Sequence, residues 1–164
     1  MAKKAETPLP ILIDSREQQP YDYTGAVVMA LRTGDYSLFG YQDRVAIERK
    51  TLSDADSSLG AGRKRFEREL ERLSGMDYAA IVVEATLEEF LRAPAFSKMN
   101  PKAAVNSLLA WSVKYRVCVF FAGNRRFGRS LTYRLLEKFW KYKGEMKDGG
   151  ENTDLEGLQE SGSG

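Results

Sequence analysis

The chain has 164 residues, 43% hydrophobic and 29% charged, with a formal net charge of +2; that is enough for one domain with its own core and too mixed for a low-complexity polymer. It contains no histidine, which excludes Ser-His-Asp hydrolases, HExxH proteases and His-metal nucleases and leaves acid–base and metal chemistry to Asp, Glu, Lys, Arg and Tyr. The single Cys118 excludes an internal disulfide and a cysteine-rich zinc site; no apolar run approaches the ~20 residues of a membrane span and no signal-peptide core is present, so an intracellular location is expected.

Residues 1–8 read as a flexible leader. Leu9 to Ile13 predicts a short apolar strand, with charge arriving abruptly in Asp14-Ser15-Arg16-Glu17, the C-terminal end where open α/β sheets favour ligand groups. Gln18 to Gly25, with its proline and glycine, reads as a loop. Ala26–Leu31, Tyr36–Phe39 and Val45–Lys50 predict three further strands in an antiparallel meander around the Gly34-Asp35 corner. Thr51 or Ser53 caps a short helix to Leu59, with Asp54 and Asp56 near its positive dipole end. Gly60-Ala61-Gly62 breaks it, and Arg63–Leu73 follows as an amphipathic helix whose buried stripe is Phe66, Leu70 and Leu73.

Tyr78 to Ala85 is a nearly continuous apolar run, as in strands buried on both faces. Thr86 and Glu89 form a capping-box pattern opening a short helix to Leu91. Pro94 to Asn100 reads as a loop ending in Asn100 as N-cap, with Pro101 at the first helical position. The helix to Tyr115 is expected to bury Val105, Leu108, Leu109 and Ser112. Val117–Ala122 reads as another fully buried strand with Cys118 as a small buried hydrophobe. The last helix, Phe127–Tyr142, is expected to bury Leu131, Leu135, Leu136, Phe139 and Trp140. Residues 144–164 carry six acids and one base and read as a disordered acidic tail, leaving +7 on the body, which suits a phosphate-backbone partner. The whole predicts one domain over residues 9–143, an α/β fold with a mixed central sheet flanked by helices.

The most constraining stretch is Val45-Ala46-Ile47-Glu48-Arg49-Lys50 with Gly34-Asp35-Tyr36 upstream. Strand alternation puts Glu48 and Lys50 on one face and Val45, Ile47 and Arg49 on the other. If Asp35 folds back beside them, two hard-oxygen ligands for Mg²⁺ converge with a lysine suited to a phosphate or a metal-activated water. An E-x-K pattern alone matches just as well an edge strand kept soluble by alternating charge.

The set Ile-Asp-Ser-Arg-Glu, Gly-Asp-Tyr, Val-Ala-Ile-Glu-Arg-Lys, Asp54 and Gly62-Arg63, in this order, resembles the nuclease domain of XPF-type structure-selective endonucleases, a branch of the restriction-endonuclease-like fold. The resemblance runs from about Ile11 to Tyr142 and is closest to compact stand-alone phage and prokaryotic members, without the helix-hairpin-helix module the family usually carries. It implies that Asp35 and Glu48, aided by Asp14 and Glu17, hold Mg²⁺ or Mn²⁺; that Lys50 is the active-site lysine; that Arg16, Arg49 and Arg63 hold phosphate or orient the acids; and that Asp54 is an acidic position of the following helix. The implied reaction is metal-dependent hydrolysis of DNA phosphodiesters in branched, flapped or junction DNA, or nicking of duplex. The family often dimerises through its last helices, which Phe139, Trp140 and Tyr142 would suit.

Most bases of the Arg63–Leu73 helix alternate with acids and read as a solvated face with i, i+4 pairs. Arg63 and Lys64 at its start, and Arg125, Arg126 and Arg129 on the last helix, are the candidate DNA-binding residues. Arg49 fits a structural bridge to Asp14 or a helix acid as well as a catalytic role, and Asp54 fits a helix-dipole partner equally. With carboxylates nearby, Lys50 is expected to stay protonated and to stabilise charge. The alternative function is a catalytically idle nuclease fold serving as a DNA-binding or partner-docking module.

Overall fold

The computed structural model describes residues 8–92 and 100–144; the expected leader, most of the loop before Asn100 and the expected acidic tail lie outside the described residues. Six strands, β1 (Ile11–Asp14), β2 (Val27–Met29), β3 (Tyr36–Leu38), β4 (Val45–Lys50), β5 (Tyr78–Val83) and β6 (Cys118–Phe121), accompany five helices, α1 (Leu52–Leu59), α2 (Arg63–Leu73), α3 (Leu87–Leu91), α4 (Pro101–Tyr115) and α5 (Arg125–Tyr142). The strands form one mixed sheet in the order β2-β1-β3-β4-β5-β6. The α/β fold read from the sequence is the fold observed.

The meander is not observed. β1 pairs antiparallel with β3 on one side and parallel with β2 on the other, so it separates the two strands expected to be neighbours. The connection 15–26 is long enough, at about a dozen residues, for a parallel return. β1 is buried along its whole length and is covered on both edges, whereas β2 is exposed throughout as the sheet's short edge.

β4 lies inside the sheet, antiparallel to β3 and parallel to β5 over all six residues. Its alternation sends Val45 and Ile47 into a core shared with Tyr36, Leu38, Val82 and α5 residues Leu136 and Phe139. Ala46 points the other way, into a core built from α1, α2, α4 and β5 by Leu59, Phe66, Leu70, Ile81 and Trp111. The two ionic faces of β4 are thus continuations of two apolar cores.

Local chemistry sets the helix starts. Thr51 and Asp54 form a reciprocal capping box on α1, and Thr86 and Glu89 do so on α3. Asn100 caps α4 with Pro101 in its first turn. The buried stripe of α2 is the expected Phe66, Leu70 and Leu73.

Three burial expectations are corrected. α4 buries Ala104, Trp111 and Tyr115, while Leu109 and Val113 are 60% and 81% exposed, because the Trp111 ring packing on Phe66 rotates the helix onto a different stripe. On α5, Leu136 and Phe139 are buried, but Leu131 and Leu135 are half-buried and Trp140 is exposed, since its ring lies over Tyr41 at the rim. Among the described residues β6 has a neighbour only in β5, so it is an edge strand there and Cys118 is exposed, not a core residue.

Candidate active site

The ladder between β3 and β4 stops just short of the charged residues, and Asp35 takes over there. Its backbone N–H bonds the Ile47 carbonyl at 2.9 Å, and its Oδ2 accepts the Arg49 amide at 2.7 Å, continuing the pairing with a side chain. Gly34 permits this corner: it has φ +74°, and a Cβ there would meet the Ala46 Cβ at 2.9 Å. Asp35 therefore turns toward Glu48, and the two carboxylates line the same pair of adjoining clefts, of about 380 and 430 Å³.

On that face Lys50 Nζ donates to Glu48 Oε1 at 3.0 Å, lies 3.5 Å from Glu69 of α2 and sits over the Phe66 ring at 4.8 Å. Burial raises the proton affinity of Asp35 to a pKa of about 6, with Glu17 and Glu69 adding repulsion against the Arg49 amide bond. Burial drives Glu48 well above the usual carboxylate range too, against the attraction of Lys50 and with Asp35 and Glu69 adding to the rise. Burial alone would lower Lys50, yet Glu48, Glu69 and Asp35 raise it, so it is held as an ammonium. Three acids face one lysine there, so full ionisation would leave two negative charges in excess.

The opposite face is balanced, since Arg125, 3.5 Å from Glu84, joins Arg49 against Glu84 and Glu17. Arg49 donates to both Glu84 oxygens, at 2.7 and 2.9 Å, and reaches Glu17 at 3.4 Å. Tyr21 donates its hydroxyl to Glu84 at 2.8 Å, and its backbone N–H bonds the Tyr36 hydroxyl at 2.8 Å. Burial would raise Glu84, but the Arg49 and Tyr21 donors hold it below the usual range. The same contacts raise Arg49 against the effect of burial. Glu84 and Glu69 carried no signal of their own in the sequence; both reach the site only because β5 runs parallel to β4 and α2 packs across it.

Asp14 lies beside the carboxylate pair but is fully engaged. Its Oδ1 accepts the Arg16 amide at 2.7 Å and Nε at 2.8 Å, and its Oδ2 accepts Arg16 at 2.9 Å and the Leu31 amide at 2.7 Å. Despite burial, these donors hold its pKa low. These donors take all four of its acceptor positions and hold Arg16 toward the clefts it also lines. Glu17 pairs with Arg49 and lines the first cleft. Asp54 is the α1 capping partner of Thr51 and also lines that cleft.

The expected DNA-binding bases are dispersed. Arg63 stacks on Trp111 at 4.6 Å and bonds Ser107 at 3.2 Å, bridging α2 to α4. Lys64 is exposed on α2, and Arg126 is exposed beside Phe127. Arg125 donates to the Gln19 and Pro20 carbonyls and Arg129 to the Asp22 carbonyl, so both tie the 18–24 loop to α5.

Among the described residues no three acidic, histidine or cysteine side chains form a metal cage by themselves. A Mg²⁺-type ion does not need one, since it binds through one or two carboxylates and keeps water and substrate phosphate as its other ligands. Asp35 and Glu48, partly desolvated and carrying excess negative charge, fit that requirement.

A domain family described as the ERCC4 domain matches residues 13–135. The chain belongs to the ERCC4-domain family. Membership supports a DNA endonuclease. Among solved structures, the fold is similar to XPF from Aeropyrum pernix, with a TM-score of 0.64 and 20% identity, covering 88% of this chain and 67% of that one. It is similar also to XPF from Aeropyrum pernix in a complex with DNA, with a TM-score of 0.63 and 21% identity, covering 86% and 68%. No match is found among curated protein sequences. The six-stranded sheet with its α2 and α5 layers is the ERCC4-domain architecture in this chain. Among the described residues no helix is long and apolar enough to cross a membrane.

Proposed function

We propose that the protein is an endodeoxyribonuclease dependent on Mg²⁺ or Mn²⁺ that hydrolyses phosphodiesters in branched, flapped or junction DNA, or nicks duplex. The observation that carries this reading is the unbalanced carboxylate cluster of Asp35, Glu48 and Glu69 around Lys50, in a cleft that Arg16 also lines. Asp35 and Glu48 would hold the ion, which supplies a Lewis acid for the phosphate and a water of lowered pKa when bound. Lys50, kept protonated by its acids, offsets negative charge developing on the phosphate and does not act as the base. Arg16, forked onto Asp14, orients the phosphate with its outward edge. Arg49 acts by positioning: its amide fixes Asp35, and its side chain holds Glu84 and Glu17. The exposed Trp140 and Tyr142 on α5 suit a homodimer.

Purified protein with Mg²⁺ or Mn²⁺ is expected to cleave within a panel of forks, flaps, junctions and duplexes. Asp35→Asn and Glu48→Gln are expected to lower cleavage on the order of a thousandfold while DNA binding persists. Unchanged cleavage in these variants overturns the site, and no cleavage of any substrate by the parent protein favours an idle fold used for docking.

A further inference from the structure

A third cleft, of about 550 Å³, is lined by Arg32, Arg68 and Arg72 together with Thr33. It adjoins the catalytic clefts: Arg32, Thr33 and Arg72 also line the space shared with Asp35 and Glu48. Arg68 and Arg72 are one helical turn apart on α2, so both project along the same edge. All three arginines are exposed, and among the described residues none forms an ion pair, although Asp43 and Glu71 line the same cleft. Arg49, Arg63 and Arg134, by contrast, are each paired with a neighbouring acid. The Thr33 side chain is 5% exposed and its hydroxyl has no hydrogen-bond partner among the described residues, leaving unused bonding capacity at the junction of the two clefts.

Arginine presents planar donors that match phosphate oxygens in pairs, so a row of unpaired arginines continuing from a phosphodiester-cleaving centre has an evident ligand. From this geometry we infer that the Arg32–Arg72–Arg68 cleft is a second phosphate subsite, which holds the cleaved DNA strand on one side of the scissile bond. The inference rests on the nuclease reading and adds a length requirement to it. The strand must continue past the cleaved bond far enough to reach Arg68, and bonds too near an end on that side are cut poorly.

The test uses the full chain carrying Asp35→Asn, which is expected to bind DNA without cutting it, and a fluorescein-labelled duplex and fork in EDTA. Arg68→Ala/Arg72→Ala is expected to weaken binding about tenfold or more and to flatten the dependence of log affinity on log salt by about two, as two lost phosphate contacts require. Arg68→Lys/Arg72→Lys should retain most of that slope, which separates charge from misfolding. Lys102→Ala, an exposed base on α4, is the control and should alter the slope by no more than one. Neutralising single phosphates as methylphosphonates should reveal positions on one side of the bond that weaken the parent and leave the double-alanine variant unaffected. Equal slopes for the double-alanine variant and the parent, or equal sensitivity to every methylphosphonate, overturn the subsite. The reading as a nuclease fails by a separate result, the absence of any cleavage by the parent chain.

Discussion

The two faces of β4 carry the same kinds of side chain and end in opposite electrostatic states. Toward α5, Arg49 meets Glu84 and Glu17 and each guanidinium nitrogen finds an acceptor, so Glu84 is pulled below its usual pKa. Toward α2, Glu48, Asp35 and Glu69 crowd one Lys50, and Asp35 and Glu48 are pushed upward. A satisfied cluster contributes rigidity. An unsatisfied cluster at the mouth of a cleft stores affinity for something the chain does not itself supply. The difference teaches that charge density alone does not mark a site; what marks it is charge left over after neighbours have been counted.

The comparison breaks most visibly at Arg49. Arg49→Met should destabilise the fold by about 3–5 kcal/mol, because Glu84 and Glu17 lose the partner of a largely desolvated pair; denaturant unfolding measures it, and a loss below 1 kcal/mol would show the cluster to be dispensable. Asp35→Asn should do the reverse without added metal. A carboxyl with a folded pKa of about 6 against 3.8 unfolded contributes stability that declines as pH rises between those values, so above pH 6 the ionised form is a burden. Thermal melts at pH 7.5 in EDTA should therefore show the asparagine variant a few degrees above the parent. Mn²⁺ should raise the parent and not the variant, and should do so at pH 7.5 more than at pH 5. A parent that melts higher at pH 7.5 than at pH 5, with no response to Mn²⁺, contradicts the unbalanced face. The smallest effect belongs to neither face: Cys118→Ser at the β6 edge should stay within about 0.5 kcal/mol, since the thiol is already in water.

Much of this was legible in the chain because it is written locally. β4 occupies the six residues whose alternation predicted it, the capping boxes at Thr51 and Thr86 sit where their spacing placed them, and Asn100-Pro101 opens α4. The pairing of Glu48 with Lys50 followed from a period of two. Long-range placement was not legible. Nothing in Val27-Val28-Met29 tells that it returns parallel to β1, and a run such as Cys118-Val119-Phe120-Phe121 does not state whether a seventh strand will cover it. Glu84 joins Arg49 across a gap of 35 residues, and Glu69 looked like one more alternating charge on α2. The unpaired arginines of that same helix were indistinguishable from a solvated face until the fold showed which of them found acids.

β4 is bonded to β5 along its full length, and on its other side the Asp35 side chain replaces the strand that has ended. Its amide protons, from Val45 to Lys50, should therefore be among the slowest in the molecule to exchange with solvent, and only by global opening, whereas the exposed β2 edge should exchange through local fraying. Carboxylates mounted on such a strand hold their positions through every fluctuation short of unfolding. Any adaptation to differently shaped DNA is then left to the rim: the 18–24 loop tethered by Arg125 and Arg129, and the free edge at Val27.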